Sequence, residues 1–226
     1  MTFSIAARCA TTGMFGLAIS SSSPAVAARC AFARAGVGVV ASQNITDPSL
    51  GEQCLDLMEL GASAEAAIEV IRGSTEHIEY RQITAVDADG NSAFYSGSHA
   101  LGVFGAARAD NVVCAGNLLS GDHVPDAMVA AFLASEGYLG DRLLTVMRAA
   151  LAAGGEAGPV HSAGLILVDQ VSWPVAHLRV DWHEAGDPIG ELSKVWTVYQ
   201  PQLEDYVNRA LDPSDAPSYS VPGDEA

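Results

Sequence analysis

Residues 1–23 read MTFSIAARCATTGMFGLAISSSS. Apolar side chains alternate with small or polar ones over residues 2–8 and again over residues 14–21, and a polar turn ending at Gly13 separates the two segments. Alternation with a period of two is typical of β-strands. The stretch therefore predicts a β-hairpin at the amino terminus.

The second residue gives this hairpin a chemical interpretation. Initiator Met is removed readily when the next side chain is small, and its removal here would leave Thr2 with a free α-amine beside its own hydroxyl. An α-amine titrates near ~8, so it can accept the hydroxyl proton near neutral pH. Thr2 is therefore a candidate N-terminal nucleophile, and the competing interpretation is an ordinary Met-Thr start. A secretory signal is disfavoured because no basic residue precedes Arg8 and Gly13 interrupts the apolar run.

Composition excludes several classes of partner. The 226 residues include 11 basic and 27 acidic side chains, which give a formal net charge of −16. Phosphate backbones are bound by clustered Lys and Arg, so nucleic acid is an unfavourable partner. No segment approaches the roughly 20 apolar residues of a membrane-spanning helix. We expect a cytoplasmic protein that binds neither nucleic acid nor membrane.

The cysteines and glycines give no sign of a cofactor. The four cysteines are scattered, with no C-x-x-C pair, which favours reduced core residues over a zinc site or a disulfide. Neither a G-x-x-x-x-G-K-[ST] nor a G-x-G-x-x-G motif is present. The sequence therefore predicts no metal and no cofactor.

The rest of the chain alternates between strand and helix patterns. We predict a helix over 24–35, a strand over 36–45, helices over 47–60 and 63–73, a hairpin of 80–86 and 92–97, an irregular segment over 101–110, a strand over 111–119, helices over 125–137 and 139–153, a hairpin of 162–169 and 175–182, and a helix over 187–211 bent near Pro201. Two mainly antiparallel sheets packed face to face, with helix pairs outside, would bury these faces. The fold class is thus α+β, a four-layer α-β-β-α sandwich. Residues 1–211 form a single domain in this interpretation, and 212–226 a Pro-rich acidic tail.

Several segments together resemble one known family. They are MTFSIAARCATTGMFGLAISSSSPAV, ARAGVGVVASQNITDPSLGEQCLDLMELGASAEAAI, RQITAVDADGNSAFYSG, AGNLLSG and LRVDWHEAGDPIGEL. From Thr2 to about Leu203 the chain is similar to domain-of-unknown-function family 1028 (DUF1028), which looks like a member of the N-terminal nucleophile (Ntn) hydrolase superfamily. The resemblance implies the four-layer Ntn fold and leaves the substrate open. Ser22 stands where the resemblance implies Lys.

Candidate catalytic residues follow from the chemistry of acyl transfer. The Thr2 hydroxyl would attack an amide carbonyl, and the resulting oxyanion needs hydrogen-bond donors. Asn117 offers a carboxamide N–H₂ at a predicted strand end, next to Gly116, where backbone can approach closely. The competing interpretation of Asn117 is a turn residue that satisfies local backbone groups.

Three further residues are predicted to line the same mouth. Ser22, Gln43 and Asn44 lie at the ends of neighbouring predicted strands. With Gly116 they form the predicted substrate-binding set. Hydrogen bonding at the strand ends explains them equally well.

The function hypotheses belong to three classes. The first is an Ntn amidohydrolase that cleaves a small amide or peptide-like substrate through Thr2. The alternative is a catalytically silent sandwich protein in binding or assembly, which the substitution at Ser22 favours. A weaker third is a metal site at Asp181 and His183, which would share a face of a strand, although two ligands are too few. Exposed sheet edges predict a homo-oligomer, most simply a homodimer.

Overall fold

Ten β-strands and seven α-helices follow one another within residues 1–219 and 221–222, the part of the chain that the computed structural model describes. The strands are β1 (Thr2–Arg8), β2 (Phe15–Ser21), β3 (Ala31–Arg34), β4 (Gly38–Asn44), β5 (Arg81–Asp87), β6 (Ser92–Ser96), β7 (Gly105–Ala109), β8 (Val112–Asn117), β9 (Ser162–Val168) and β10 (Ala176–Val180). The helices are α1 (Val26–Cys30), α2 (Ser49–Glu59), α3 (Ala64–Ser74), α4 (Val124–Ala134), α5 (Leu139–Ala152), α6 (Pro188–Tyr199) and α7 (Leu203–Leu211).

The strands form two antiparallel sheets. The six-stranded sheet has the order β10-β9-β2-β1-β8-β7, and the four-stranded sheet has the order β3-β4-β5-β6. The predicted α+β class with two antiparallel sheets is confirmed. β1 pairs along its length with β2 on one side and β8 on the other. The strand that begins at Thr2 is therefore held at both edges.

Three hydrophobic cores separate four layers. Helices α4, α5 and α6 pack on the outer face of the six-stranded sheet, and α2 and α3 pack on the outer face of the four-stranded sheet. The third core lies between the sheets and contains Ala6, Leu17 and Val39. Because successive side chains of a strand point to opposite faces, Phe3 and Ile5 enter the helix-side core while Ala6 faces the other sheet. The layers are those of the predicted α-β-β-α sandwich.

Two predicted elements are wrong. The helix predicted over 24–35 is limited to α1, and its second half is the edge strand β3, which pairs with β4. In β3, Phe32 packs so closely on α2 that a Cβ at Gly51 would lie 2.1 Å from its ring. The segment predicted as irregular over 101–110 contains β7, which is ordered by pairing with β8. In both places tertiary packing overrides local propensity.

The carboxyl-terminal region follows the predicted bend. α6 and α7 are separated by a 3-10 turn over Gln200–Gln202 that contains Pro201, which lacks a backbone N–H. Arg209 of α7 donates to the carbonyl of Pro217 at 2.9 Å, so this part of the predicted tail contacts the last helix. Residues 220 and 223–226 of the tail lie outside the described residues, and the division at 211 stays a prediction. In the described part of the chain, every helix is too short or too polar to cross a bilayer.

A substitution at Gly164 tests the packing of β9 against α1. A Cβ on Gly164 would lie 2.3 Å from the Cβ of Ala27. We expect Gly164→Ala to lower the free energy of unfolding by about 1–3 kcal/mol, because α1 must move to admit the methyl group. Gly73 of α3 is the matched control, since it has no neighbour within 4 Å and a methyl there should stabilise the helix by about 0.5–1 kcal/mol. Urea denaturation measures both variants, and effects of the same sign would contradict the described packing.

Candidate active site

Polar side chains from five strands meet between the two sheets at the end of β1 where the chain begins. They occupy the same strand faces that carry apolar residues such as Leu17 and Val113 farther along. All are buried. We call them the polar cluster: Thr2, Ser4, Ser21, Gln43, Gln82 and Asn117.

Gln82 of β5 is the centre of the polar cluster. Its Oε1 accepts hydrogen bonds from Gln43 Nε2 at 2.8 Å and from Asn117 Nδ2 at 3.2 Å. Its Nε2 donates to Gly116 O at 3.1 Å. Gln43 Oε1 in turn accepts from Ser4 Oγ at 2.7 Å, so the chain of hydrogen bonds runs from one sheet to the other and back. Buried polar groups need such partners, and the network fixes the two sheets relative to each other at this end.

Thr2 lies at the edge of the polar cluster, opposite Asn117 in the register of β1 and β8. The residue is 5% exposed. Thr2 Oγ1 donates to the carbonyl of Met1 at 2.5 Å and lies 3.3 Å from Ser21 Oγ. Ser21 Oγ also donates to the Met1 carbonyl. Two hydroxyls thus hold the peptide group that joins Met1 to the Thr2 nitrogen.

Met1 covers the candidate nucleophile. It is 36% exposed, and its side chain lies along the loop after α5, where a Cβ on Gly158 would be 3.3 Å from Met1 Cε. A surface cavity of about 410 Å³ lies instead at the opposite end of β1, beside Arg8 and Phe15. With Met1 in place, Thr2 is only 5% exposed.

Glu156 is a buried carboxyl at this same end of β1. Glu156 pairs with Leu119 through an isolated β-bridge, and the residue is 6% exposed. Oε2 accepts from the Ser22 amide at 3.3 Å, whereas Oε1 has no hydrogen-bond partner among the residues that the structure describes. Burial raises the pKa of Glu156 to about 7, against the lowering effects of the Met1 α-ammonium and of Ser22.

The predicted substrate-binding residues divide into two groups. Gly116, Gln43 and Ser22 belong to the site: the first two bind Gln82, and the Ser22 amide binds Glu156. Gly116 also has a packing role, since a Cβ there would lie 2.6 Å from Leu119 Cδ2.

Asn44 is engaged elsewhere. Its side chain donates to the carbonyl of Tyr80 and accepts from the amide of Leu101 at 3.2 Å. Its φ of 75° is in the left-handed region, which Asn tolerates better than most residues. These contacts give Asn44 the strand-end role that was the competing interpretation.

Sequence reasoning missed four members of this end of the molecule: Ser4, Ser21, Gln82 and Glu156. Gln82 left a weak signal, because it shares its strand face with the apolar Val86 and a buried Gln needs several partners. Ser21 was hidden within a run of four serines. Glu156 gave no signal, since it follows two glycines in a loop and its burial comes from the fold alone.

The alternative site at Asp181 and His183 is not assembled. β10 ends at Val180, so neither residue lies on a strand face as predicted. The Asp181 carboxylate pairs with Arg179 at 2.7 Å, and His183 Nδ1 accepts from the amide of Asp187. Within the described ranges no group of three or more His, Cys, Asp or Glu side chains is arranged to hold a metal ion.

The fold and the site together define a class of protein: an α+β sandwich whose amino terminus begins a central strand beside a buried polar network. The sequence model of a family of unknown function, DUF1028, matches residues 2–192. The chain belongs to this family, as its sequence resemblance implied. A search of curated proteins finds no match.

One solved structure agrees with this assignment. The crystal structure of protein SPO2555 from Silicibacter pomeroyi, also of DUF1028, is 30% identical in sequence. The similarity covers 92% of this chain and 93% of that one, with a TM-score of 0.83.

Two structures of Anbu (ancestral beta-subunit) are more distant, each at 10% identity. The protein from Yersinia bercovieri has a TM-score of 0.37, over 90% of this chain and 97% of that one. A mutant from Hyphomicrobium sp. strain MC1 has a TM-score of 0.43, over 92% and 100%. The architecture described above rests on the sheets and helices of the chain itself.

Replacement of Gln82 tests the polar cluster. Gln82→Leu keeps the approximate volume but leaves Gly116 O, Asn117 Nδ2 and Gln43 Nε2 without their partner. We expect the free energy of unfolding to fall by about 2–4 kcal/mol, because each buried unpaired group costs about 1–3 kcal/mol. The matched control is Gln53→Leu on the exposed face of α2, where the change should stay within about 0.5 kcal/mol. Similar midpoints for the two variants in urea would contradict the role given to Gln82.

The buried carboxyl predicts a pH dependence of stability. The pKa of Glu156 is raised from 4.5 to about 7 in the folded chain, so the folded state binds more protons between these values. The contribution of the Glu156 carboxyl to the free energy of unfolding is complete below its pKa in the unfolded chain. It is lost as the pH rises through the pKa in the folded chain. Relative to Glu156→Gln, the free energy of unfolding of the wild type should fall by up to about 2–3 kcal/mol as the pH rises over this range. Denaturation curves across the range measure the difference, and parallel pH profiles would contradict the raised pKa.

Proposed function

We propose that this protein is an Ntn amidohydrolase that cleaves a small amide or peptide-like substrate through Thr2 after Met1 is removed. The observation that carries the proposal is the position of Thr2. It begins a strand that is paired on both sides, its hydroxyl contacts Ser21, and Asn117 lies opposite in the register. A nucleophile needs a rigid mount and a nearby base, and a free α-amine on the same residue supplies the base.

The reaction is an acyl transfer in two halves. The Thr2 oxygen bonds to the amide carbon while the Thr2 amine takes the hydroxyl proton, and that proton then passes to the departing amine as the C–N bond breaks. The product is an ester on Thr2 with the acyl group of the substrate. Water then attacks the ester, and its proton returns to the Thr2 oxygen as the acid is released.

Hydrogen-bond donors for the oxyanion come from both neighbours of β1. The Ser21 hydroxyl already donates to a carbonyl oxygen that adjoins Thr2, which supports it as one donor. Asn117 Nδ2 is the other candidate, and it would exchange Gln82 Oε1 for the developing oxyanion. The network behind Asn117 limits its movement, which favours preorganisation.

The remaining predictions on partners belong to the same proposal. A small amide substrate suits a site held between two sheets, and the net charge of −16 disfavours dense polyanions. Four buried, unpaired cysteines are compatible with a cytoplasmic setting. Exposed apolar side chains near the edge strand β7, among them Phe94, Val103 and Phe104, support a homo-oligomer, with a homodimer as the simplest form.

A second candidate function is binding or assembly without catalysis. Two observations favour it: the Met1 carbonyl is held by both Thr2 and Ser21, and Ser22 replaces the Lys that the family resemblance implies. If Met1 is retained, the Thr2 nitrogen is an amide nitrogen and cannot act as the proposed base.

An electrophilic probe separates the two candidates without knowledge of the natural substrate. A β-lactone is opened by a nucleophilic hydroxyl, and the resulting ester adds the full mass of the probe to that residue. We expect the adduct on Thr2 in the chain that begins at Thr2, and at least a ~100-fold slower reaction for Thr2→Ala, in line with loss of an activated nucleophile. Tandem mass spectrometry of the amino-terminal peptide locates the adduct.

Two variants serve as controls for this probe. Thr2→Ser keeps a hydroxyl and should still react, whereas Thr145→Ala removes an exposed threonine of α5 and should leave the rate unchanged. The mass of the intact protein reports whether Met1 is present. Equal labelling of wild type and Thr2→Ala, or complete retention of Met1 in the purified protein, would support the non-catalytic candidate instead.

A further inference from the structure

We propose that Glu156 is the positioning residue for the α-amine of Thr2, which its carboxylate binds once Met1 is removed. The proposal rests on the proposed function in one respect, that Thr2 is the mature terminus. The Glu156 carboxyl is buried, and it takes no part in the acyl-transfer steps proposed for Thr2. The role is to orient the amine toward the Thr2 hydroxyl.

Residues just beyond both strands that flank β1 hold Glu156, one through its backbone and the other through its side chain. Leu119, which pairs with Glu156, lies two residues beyond Asn117, the register partner of Thr2. On the other side, the amide of Ser22 donates to Glu156 Oε2, and the preceding residue contacts the Met1 carbonyl through its hydroxyl. The carboxyl group is thus placed at the end of β1 from two sides.

The loop that carries Glu156 also contacts Met1 directly. Gly158 lies against the end of the Met1 side chain. The Met1 α-ammonium is the positive group that acts on the Glu156 carboxyl. Removal of Met1 transfers the α-ammonium one residue along the chain, a step of about 3.8 Å between consecutive Cα atoms, so the charge stays at this end of β1.

Glu156 Oε1 supplies the second, independent observation. The residue is 94% buried, as its exposed fraction of 6% implies, and this oxygen has no hydrogen-bond partner in the part of the chain that the structure describes. A buried carboxylate oxygen without a donor is costly. An ammonium group at the Thr2 nitrogen provides up to three donors and the opposite charge.

Other ionisable side chains on neighbouring segments already have partners. Arg29 of α1 donates to Ser23 Oγ at 3.1 Å, His161 Nδ1 contacts the carbonyl of His183 at 2.9 Å, His183 Nδ1 accepts from the Asp187 amide, and Asp181 pairs with Arg179. Among the residues that the structure describes, we therefore assign the amino terminus, which already acts on the Glu156 carboxyl, as its cation.

The pairing has a defined effect on proton transfer. A carboxylate beside an amine favours the protonated amine and raises its pKa, while the amine lowers the pKa of the carboxyl group. The two groups then titrate as a coupled pair. Burial opposes the lowering of the carboxyl pKa, since it raises the pKa of Glu156 to about 7 in the chain that retains Met1.

Titration of the Thr2 amine tests the proposal in the absence of any substrate. The full chain beginning at Thr2 is prepared with co-expressed methionine aminopeptidase or, where Met1 persists, by cleavage of a fusion directly before Thr2. NMR of isotope-labelled threonine nitrogen then follows the α-amine as the pH is raised. We expect Glu156→Gln to lower the pKa of the amine by about one unit or more, because a buried opposite charge is lost.

Control variants distinguish this effect from general electrostatics. Glu184→Gln removes an exposed negative charge from the segment that follows β10, and it should shift the amine by much less. Glu156→Asp keeps the charge on a shorter side chain and should restore part of the shift. An amine pKa that is the same in wild type and in a folded Glu156→Gln would overturn the proposal.

A measurement on the wild type keeps the test valid should Glu156→Gln fail to fold. The carboxyl carbon of Glu156 is titrated by NMR in the chain with a free Thr2 amine and in the same chain with that amine acetylated. We expect the carboxyl pKa to rise on acetylation, and an unchanged value would contradict the pairing. Neither titration involves hydrolysis, so the two proposals can fail separately. If the β-lactone does not label Thr2 but Glu156→Gln still lowers the amine pKa as expected, only the proposed function is refuted.

Discussion

The hydrogen bonding of buried polar side chains between the two sheets is the constraint on which this structure depends. Side chains alternate along β1, so the face that presents Ala6 to the other sheet also presents Ser4 and Thr2. Polar groups in that position need partners across the gap: Gln43 of the four-stranded sheet accepts from Ser4, and Gln82 of the same sheet binds Gly116 O and Asn117 of β8. The relative position of the sheets at this end is therefore set by directional bonds as well as by apolar packing.

The same constraint determines where the amino terminus lies. Thr2 pairs with Asn117 of β8 and the next residue, Phe3, pairs with Ser20 of β2, which leaves little freedom to the backbone at Thr2. The hydroxyls of Thr2 and Ser21 then converge on the Met1 carbonyl, and the Glu156 carboxyl approaches from the loop after α5. A chain end in a folded protein is usually mobile, whereas here two hydroxyls hold the peptide group that joins Met1 to Thr2.

Local patterns predicted most of the fold but only part of the site. The opening hairpin, the helix pairs and the sandwich follow from alternation and amphipathic periods, which act over a few residues. The strands β3 and β7 were missed because their order comes from pairing with β4 and β8. Thr2 and Asn117 were identified by their chemistry, and the structure brings them into register. Glu156 is distant in sequence from every other group of the site, and only the closed fold makes it buried.

The distribution of polarity between the sheets argues that this end serves more than packing. Toward the opposite end the same faces carry Leu17, Val39 and Val113, which pack the sheets without polar atoms. Apolar residues at the positions of Gln43 and Gln82 would fill similar volumes, and replacing a buried polar network by well-packed apolar groups is often neutral or stabilising. This chain instead has a buried network that needs many hydrogen-bond partners and, beside it, a buried carboxyl whose Oε1 has no partner among the described residues. It departs from the arrangement that stability alone favours. Such departures concentrate at functional sites, and here they surround the residue that begins β1.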